Sequence, residues 1–247
     1  MKFHLMPVMV FLLGVSFGTK AYSNDRTWSN AAATGAERWA ELDPAFALCR
    51  SGKLQSPINI DTTAPTEQSK LNLNYLSSPS TLLHNGHNLN ISPYSKGWIS
   101  VGPDIFDFKS VYFHTPSEVQ INSQRFPLAV YLEHRSQAGK PMMVAILFEI
   151  GAKNSVLEKF LSSIPAQRGD VLTLGSFDAT QLYPALRDYH DFIGSMTTQP
   201  CSEGMRLLVM TTPVQLSEAQ LSTLQLAFPK STRPDQPSIN RTLQVGG

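Results

Sequence analysis

Three short runs carry residue types able to do chemistry: Asn85-Gly86-His87, Phe113-His114-Thr115-Pro116-Ser117-Glu118 and Leu132-Glu133-His134. Histidine beside carboxylates offers a metal ligand or an acid–base pair, because an unperturbed pKa of about 6.5 lets it hold or release a proton near neutrality. In an extended segment, side chains two apart face one side. Tyr112 therefore shares a face with His114, and Tyr131 with Glu133, while His134, at an odd offset from Tyr131, takes the opposite face. Of the four residues on the shared faces, only His114 is an imidazole. A fourth run, Thr197-Thr198-Gln199-Pro200-Cys201-Ser202-Glu203-Gly204, adds hydroxyls and one of the two cysteines.

The elements that must position these residues are mostly strands. Short alternating or apolar segments bounded by turn residues recur at Leu71 to Tyr75, Asn88 to Pro93, Trp98 to Val101, Lys109 to His114, Leu128 to His134, Met142 to Glu149 and Met205 to Met210. Helical pattern is limited to Ser155 to Ser163, Ala179 to Leu182 and Ser217 to Leu226, where Ser217 with Gln220 forms a capping-box start. The class is mainly β with a few short peripheral helices. A length of 247 residues with 42% apolar and 16% charged residues fits one folded domain and excludes acidic disorder, collagen and coiled coil. The Pro-rich end, Phe228 to Gly247, lacks hydrophobic periodicity and is either an extended segment laid on the domain or a disordered tail.

Lys2 followed by the apolar run Leu5 to Phe17 and by small residues has the order of a secretory signal, so residues 1–23 are expected to be removed and 24–247 to be the domain. The run, about 13 residues long, is too short to span a bilayer, and no other stretch is long enough. Removal takes away Lys2 and Lys20 and no acid, moving the formal charge from +1 to −1. Without clustered Lys and Arg to displace counterions, nucleic acid is not a partner. Export to the periplasm or beyond lets a cysteine pair persist oxidised, and Cys49 and Cys201 are expected to form a disulfide.

Trp39, Cys49, Gln55-Ser56-Pro57-Ile58-Asn59-Ile60, the three chemistry-bearing runs, the Thr197 to Gly204 run and Arg233-Pro234-Asp235-Gln236-Pro237 resemble, in order, the landmarks of the α-class carbonic anhydrases, most nearly their bacterial periplasmic members. The resemblance implies a single domain built on a large twisted, mainly antiparallel sheet. It also implies a zinc enzyme interconverting carbon dioxide and bicarbonate, with three His from two adjacent strands on the metal. Three neutral imidazoles leave Zn²⁺ its full charge and an open fourth position, where bound water ionises near pH 7.

Carried over position by position, the ligand set is altered. His114 stands at one ligand position, but Tyr112 and Tyr131 stand at the other two, and Ser110 and Ala129 replace the Gln and Glu that orient the family's ligands. Other positions match: Glu118 and Thr197 the family's hydrogen-bond relay, Thr198 its neighbour, and His87 the proton shuttle. Glu133, Met143, Met196, Met205 and Leu207 fall on the pocket wall, where the family usually has smaller apolar residues or, at Leu207, Trp. The resemblance also brings Cys49 and Cys201 together. Fold does not carry function by itself. The expectation is an exported carbonic-anhydrase-like protein that has lost zinc-dependent hydration, takes no cofactor and binds a protein or small-molecule ligand of unknown identity. The alternative is a lyase or esterase with residual or altered-metal activity.

Overall fold

The computed structural model describes residues 34–62, 69–85, 88–165, 167–228, 232–238 and 244–246; the expected export signal at 1–23 lies outside them. The strands are β1 (Asn59–Ile60), β2 (Leu71–Tyr75), β3 (Ser78–His84), β4 (Leu89–Pro93), β5 (Gly97–Val101), β6 (Asp104–His114), β7 (Gln120–Ile121), β8 (Gln124–Arg125), β9 (Leu128–Ser136), β10 (Pro141–Ile150), β11 (Val171–Phe177), β12 (Tyr189–Ser195), β13 (Glu203–Met210), β14 (Val214–Leu216) and β15 (Gln244–Gly246). Twelve of them form one sheet with the path β11-β3-β4-β6-β9-β10-β13-β12-β15, and β2, β5 and β14 pair off that path. Within this sheet β10 runs parallel to β13 and β14, and every other pairing is antiparallel. The expected mainly β, mainly antiparallel class is what the chain adopts.

The period-2 pattern sorts the sheet's two faces. On β9, Leu128, Val130 and Leu132 enter the large core with Val144, Ile146 and Leu208. Their neighbours Ala129 and Tyr131 enter a second cluster with Ala145, Leu147 and Val209 on the other face. The middle of β10 is buried on both faces, which is why it reads as an unbroken apolar run.

β6 changes face midway. Phe106 and Phe108 lie in the large core, and so do Val111 and Phe113. The pairing with β9 sets Phe108 opposite His134 and then Ser110 opposite Glu133, making Lys109 the extra residue of a β-bulge. A one-residue shift exchanges the faces of everything beyond it. Tyr112 and His114 are thereby turned out of the core, with Tyr112 opposite Tyr131 and His114 opposite Ala129.

The helix Ser155–Leu161 starts at Asn154, whose side chain accepts from the Val156 and Leu157 amides at 3.0 Å each. The helix Glu218–Ala227 starts at the anticipated Ser217/Gln220 capping box, and Ala179–Leu182 is a 3-10 turn. Among the described residues no helix is long and apolar enough to cross a membrane.

Of the two possibilities open for the C-terminal segment, its described part is laid on the domain. Arg233 is 2% exposed and donates to Gln55 Oε1, Ser56 O and Cys49 O at 2.8–2.9 Å, with its guanidinium 5.8 Å from the Trp39 ring centroid. Asp235 takes a two-pronged bond from Arg125 at 2.9 Å, and β15 pairs with β12.

Cys49 and Cys201 are bonded across a sequence separation of 152 residues. On the chain-entropy account a loop of that size lowers the unfolded state's entropy by the equivalent of about 5 kcal/mol, with strain reducing the yield. Protein from an oxidising compartment is expected to show no reactive thiol until it is reduced. Replacing both cysteines with Ser should lower the melting midpoint by at least about 5 °C; an unchanged midpoint would refute the stabilising role.

Candidate functional site

The bulge delivers Tyr112 and His114, and the alternation of β9 delivers Tyr131 and Glu133, to one cavity of about 310 Å³. Glu118 comes shortly after β6, and Ser195, Met196, Thr197, Thr198 and Gln199 supply the wall between β12 and β13. Met143, Met205 and Leu207, placed on the pocket wall by sequence, line it as well. His134 does not. It lies in the large core, fully buried, with Nε2 2.9 Å from the Tyr75 hydroxyl and Nδ1 2.9 Å from Leu132 O. His87 falls outside the described residues.

Two carboxylates organise the cavity. The Thr197 hydroxyl donates to Glu118 Oε2 at 2.8 Å, and Glu118 is almost fully buried. Its other oxygen is 3.9 Å from His114 Nδ1. Glu133 receives Tyr112 at 3.0 Å and Ser110 at 3.2 Å on Oε2, and Arg135 at 3.1 Å on Oε1. Burial pushes the Tyr112 phenol above its ordinary range; a Ser110 hydrogen bond opposes this and the Glu133 charge adds to it. Burial, with the Glu118 charge behind it, holds the Tyr131 phenol well above that range, against backbone hydrogen bonds from Val119 and Glu118. Both phenols are therefore neutral at physiological pH. The Tyr131 ring stands edge-on to His114 at 5.3 Å.

The wall carrying Thr197 is held from behind. Ser56 and Ser195 exchange hydrogen bonds, the Ser56 amide to Ser195 Oγ at 2.9 Å and the Ser195 amide to Ser56 Oγ at 3.2 Å. Gln55 Nε2 donates to Cys201 O at 3.0 Å. A Cβ at position 194 would run into Ser56 Oγ, so a larger residue there would have to displace the Ser56–Ser195 pair. The segment with Glu118 is clamped by Arg125, which donates to Ser117 O and Glu118 O as well as to Asp235. Sequence reasoning did not single out Gln199 as a wall residue. Both polar atoms of its amide are buried without a hydrogen-bond partner in the cavity lining. Its place between Thr198 and Pro200 was the available signal.

A model of the eukaryotic-type carbonic anhydrase family matches residues 34–244. The chain belongs to the carbonic anhydrase family. A carbonic anhydrase of Neisseria gonorrhoeae is 31% identical over 234 residues, 94% of this chain and 93% of that one. Among solved structures, the α-carbonic anhydrase of Thermovibrio ammonificans in complex with the inhibitor sulfanilamide superposes with a TM-score of 0.85 at 31% identity, covering 88% of this chain and 98% of that one. Dioscorin complexed with ascorbate superposes with a TM-score of 0.83 at 28% identity, covering 89% and 97%.

This kinship corrects one expectation. That the chain takes no cofactor does not stand, because carbonic anhydrases are zinc enzymes and the relatives point to zinc. The side chains here do not fit the family's coordination, however. Where three imidazoles belong there are His114 and two neutral phenols, one donating its proton to Glu133. Among the described residues no three His, Cys, Asp or Glu side chains converge as a metal cage.

Burial lowers the pKa of His134 to about 3. The unfolded chain thus takes up a proton that the folded chain refuses between about pH 6.5 and pH 3, and this contribution to stability, present above pH 6.5, is lost as pH falls. Comparing urea unfolding at pH 7 and pH 4.5, the parent is expected to lose about 2–3 kcal/mol more than a His134→Gln variant. Equal losses would show that His134 titrates normally in the folded state.

Proposed function

We propose that this chain is an exported member of the carbonic anhydrase family whose cavity binds a small molecule and does not hydrate carbon dioxide at the family's rate. The observation that carries the reading is the pairing of Tyr112 with Tyr131 across β6 and β9. A protonated phenol is a weak neutral oxygen donor, unlike the neutral imidazole that suits zinc. The positions of the family's Gln and Glu supports hold Ser110, two residues before Tyr112, and Ala129, two before Tyr131, so neither carries the long polar side chain that would orient a ligand there. Dioscorin, on the same fold, holds ascorbate, which supports a cavity of this architecture serving an organic ligand. The Lys-apolar-small order of residues 1–23 and the Cys49–Cys201 bridge support export, with 24–247 as the mature chain.

A second reading, an enzyme with residual or altered-metal activity, is favoured by the Thr197–Glu118 hydrogen bond at 2.8 Å and by the zinc that kinship brings. Stopped-flow hydration of carbon dioxide with zinc supplied in excess separates the two. The expected rate is that of buffer alone. A fast rate abolished by a chelator would establish the second reading and overturn the first.

The double change Tyr112→His with Tyr131→His places two further imidazoles beside His114, with Glu118 and Thr197 already hydrogen-bonded near them. Zinc affinity is expected to rise above the parent's. Adding Ser110→Gln and Ala129→Glu should raise it again, since such supports are typically worth about 10–100-fold. A folded double variant with the parent's zinc affinity would refute the reading of these positions as one site.

A further inference from the structure

We infer that the cavity takes a small organic cation with N–H donors, such as a primary amine, and rejects the matching anion. This rests on the binding reading above and names the chemical class of its ligand. The charged side chains in the described lining are Glu118 and Glu133; no Lys or Arg among the described residues lines the cavity. Arg135 meets Glu133 on Oε1, and its side chain is half exposed, so solvent screens it. Tyr112 donates to Glu133 Oε2, and both residues line the cavity.

Two of the lining hydroxyls have their protons committed to the carboxylates. Tyr112 gives its proton to Glu133 and Thr197 gives its proton to Glu118, so both oxygens offer lone pairs to the cavity. A ligand that brings donors and positive charge complements these two oxygens and the two carboxylates. The Gln199 amide belongs to the same wall; both of its polar atoms are buried without a hydrogen-bond partner, and a ligand that shifts this side chain would satisfy them. Met143, Met196 and Met205 supply a soft, polarisable wall for the ligand's apolar body.

Three probes of nearly one shape and three charges test this: benzylamine, benzyl alcohol and benzoate, each titrated calorimetrically into the mature protein at pH 8 and low salt. Benzylamine is expected to bind at least about ten-fold more tightly than benzyl alcohol, and benzoate to give no heat. Glu133→Gln, which keeps the side chain's size and removes its charge, should shrink the amine's preference over the alcohol to under about three-fold. Benzoate binding as tightly as benzylamine, the result a metal cation beside His114 would produce, overturns the inference. So does a Glu133→Gln variant that keeps the full preference, or a protein that binds none of the three. If the alcohol or the acid binds best, the ligand class fails and the binding reading survives. Fast hydration of carbon dioxide removes that reading whatever the probes do.

Discussion

One extra residue in β6 decides what the cavity contains. Without the bulge at Lys109, the alternation that buries Phe106 and Phe108 would carry on to bury Tyr112 and His114 and to expose Val111 and Phe113. Burying a phenol and an imidazole in the large core without partners costs more than a bulge, which gives up only local ladder bonds. The strand is thus locked in two registers at once, each fixed by the apolar residues it buries. Everything in the candidate site depends on the second register, including the opposition of Tyr112 to Tyr131 and the reach of Tyr112 to Glu133.

The bulge also marks where the sequence ceased to be readable. The run from Lys109 to His114 was legible because its alternation is intact. The first five residues of β6 were not, since their pattern is out of phase with that of the residues beyond the bulge. β3 was missed for another reason. Its inward side chains are Ser78, Ser80, Leu82 and His84, so its core-facing set is mostly polar, and the Ser hydroxyls and His84 are satisfied by backbone oxygens such as Ser95 O and Ala227 O. β12 places Asp191 inward against Arg206, a pair that no periodicity rule anticipates. The site residues fared better because residues on β6 and β9 inherit their direction from the pleat. Gln199 sits on a loop, where no period exists to be read.

The two anchors behind the cavity wall are far apart in sequence and serve one purpose. The disulfide and the Gln55–Cys201 hydrogen bond fix the loop after β12 to the N-terminal segment. Arg125 ties the Glu118 segment to Asp235 of the C-terminal segment, and Arg233 of that segment closes back on Gln55, Ser56 and Cys49. Both partners of the Thr197–Glu118 bond are therefore held by elements from the two ends of the domain. Such support persists whether the bond serves chemistry or only satisfies a buried carboxylate.

The changes at the ligand and support positions are coupled through volume. A phenol projects further than an imidazole, and its neighbour on the same face of β9, two residues back, is Ala129, fully buried and opposite His114. A Glu at 129 beside an intact Tyr131 would press a larger, charged side chain against the His114 ring, and overpacking a filled site typically costs about 1–3 kcal/mol. Ser110 is small in the same way, leaving Glu133 free to take hydrogen bonds from both Ser110 and Tyr112 on one oxygen. Tyrosine at the ligand positions and small residues at the support positions thus form one packing solution. A metal site is rebuilt on this scaffold only by changing both strands together, which is why the present arrangement holds as a unit.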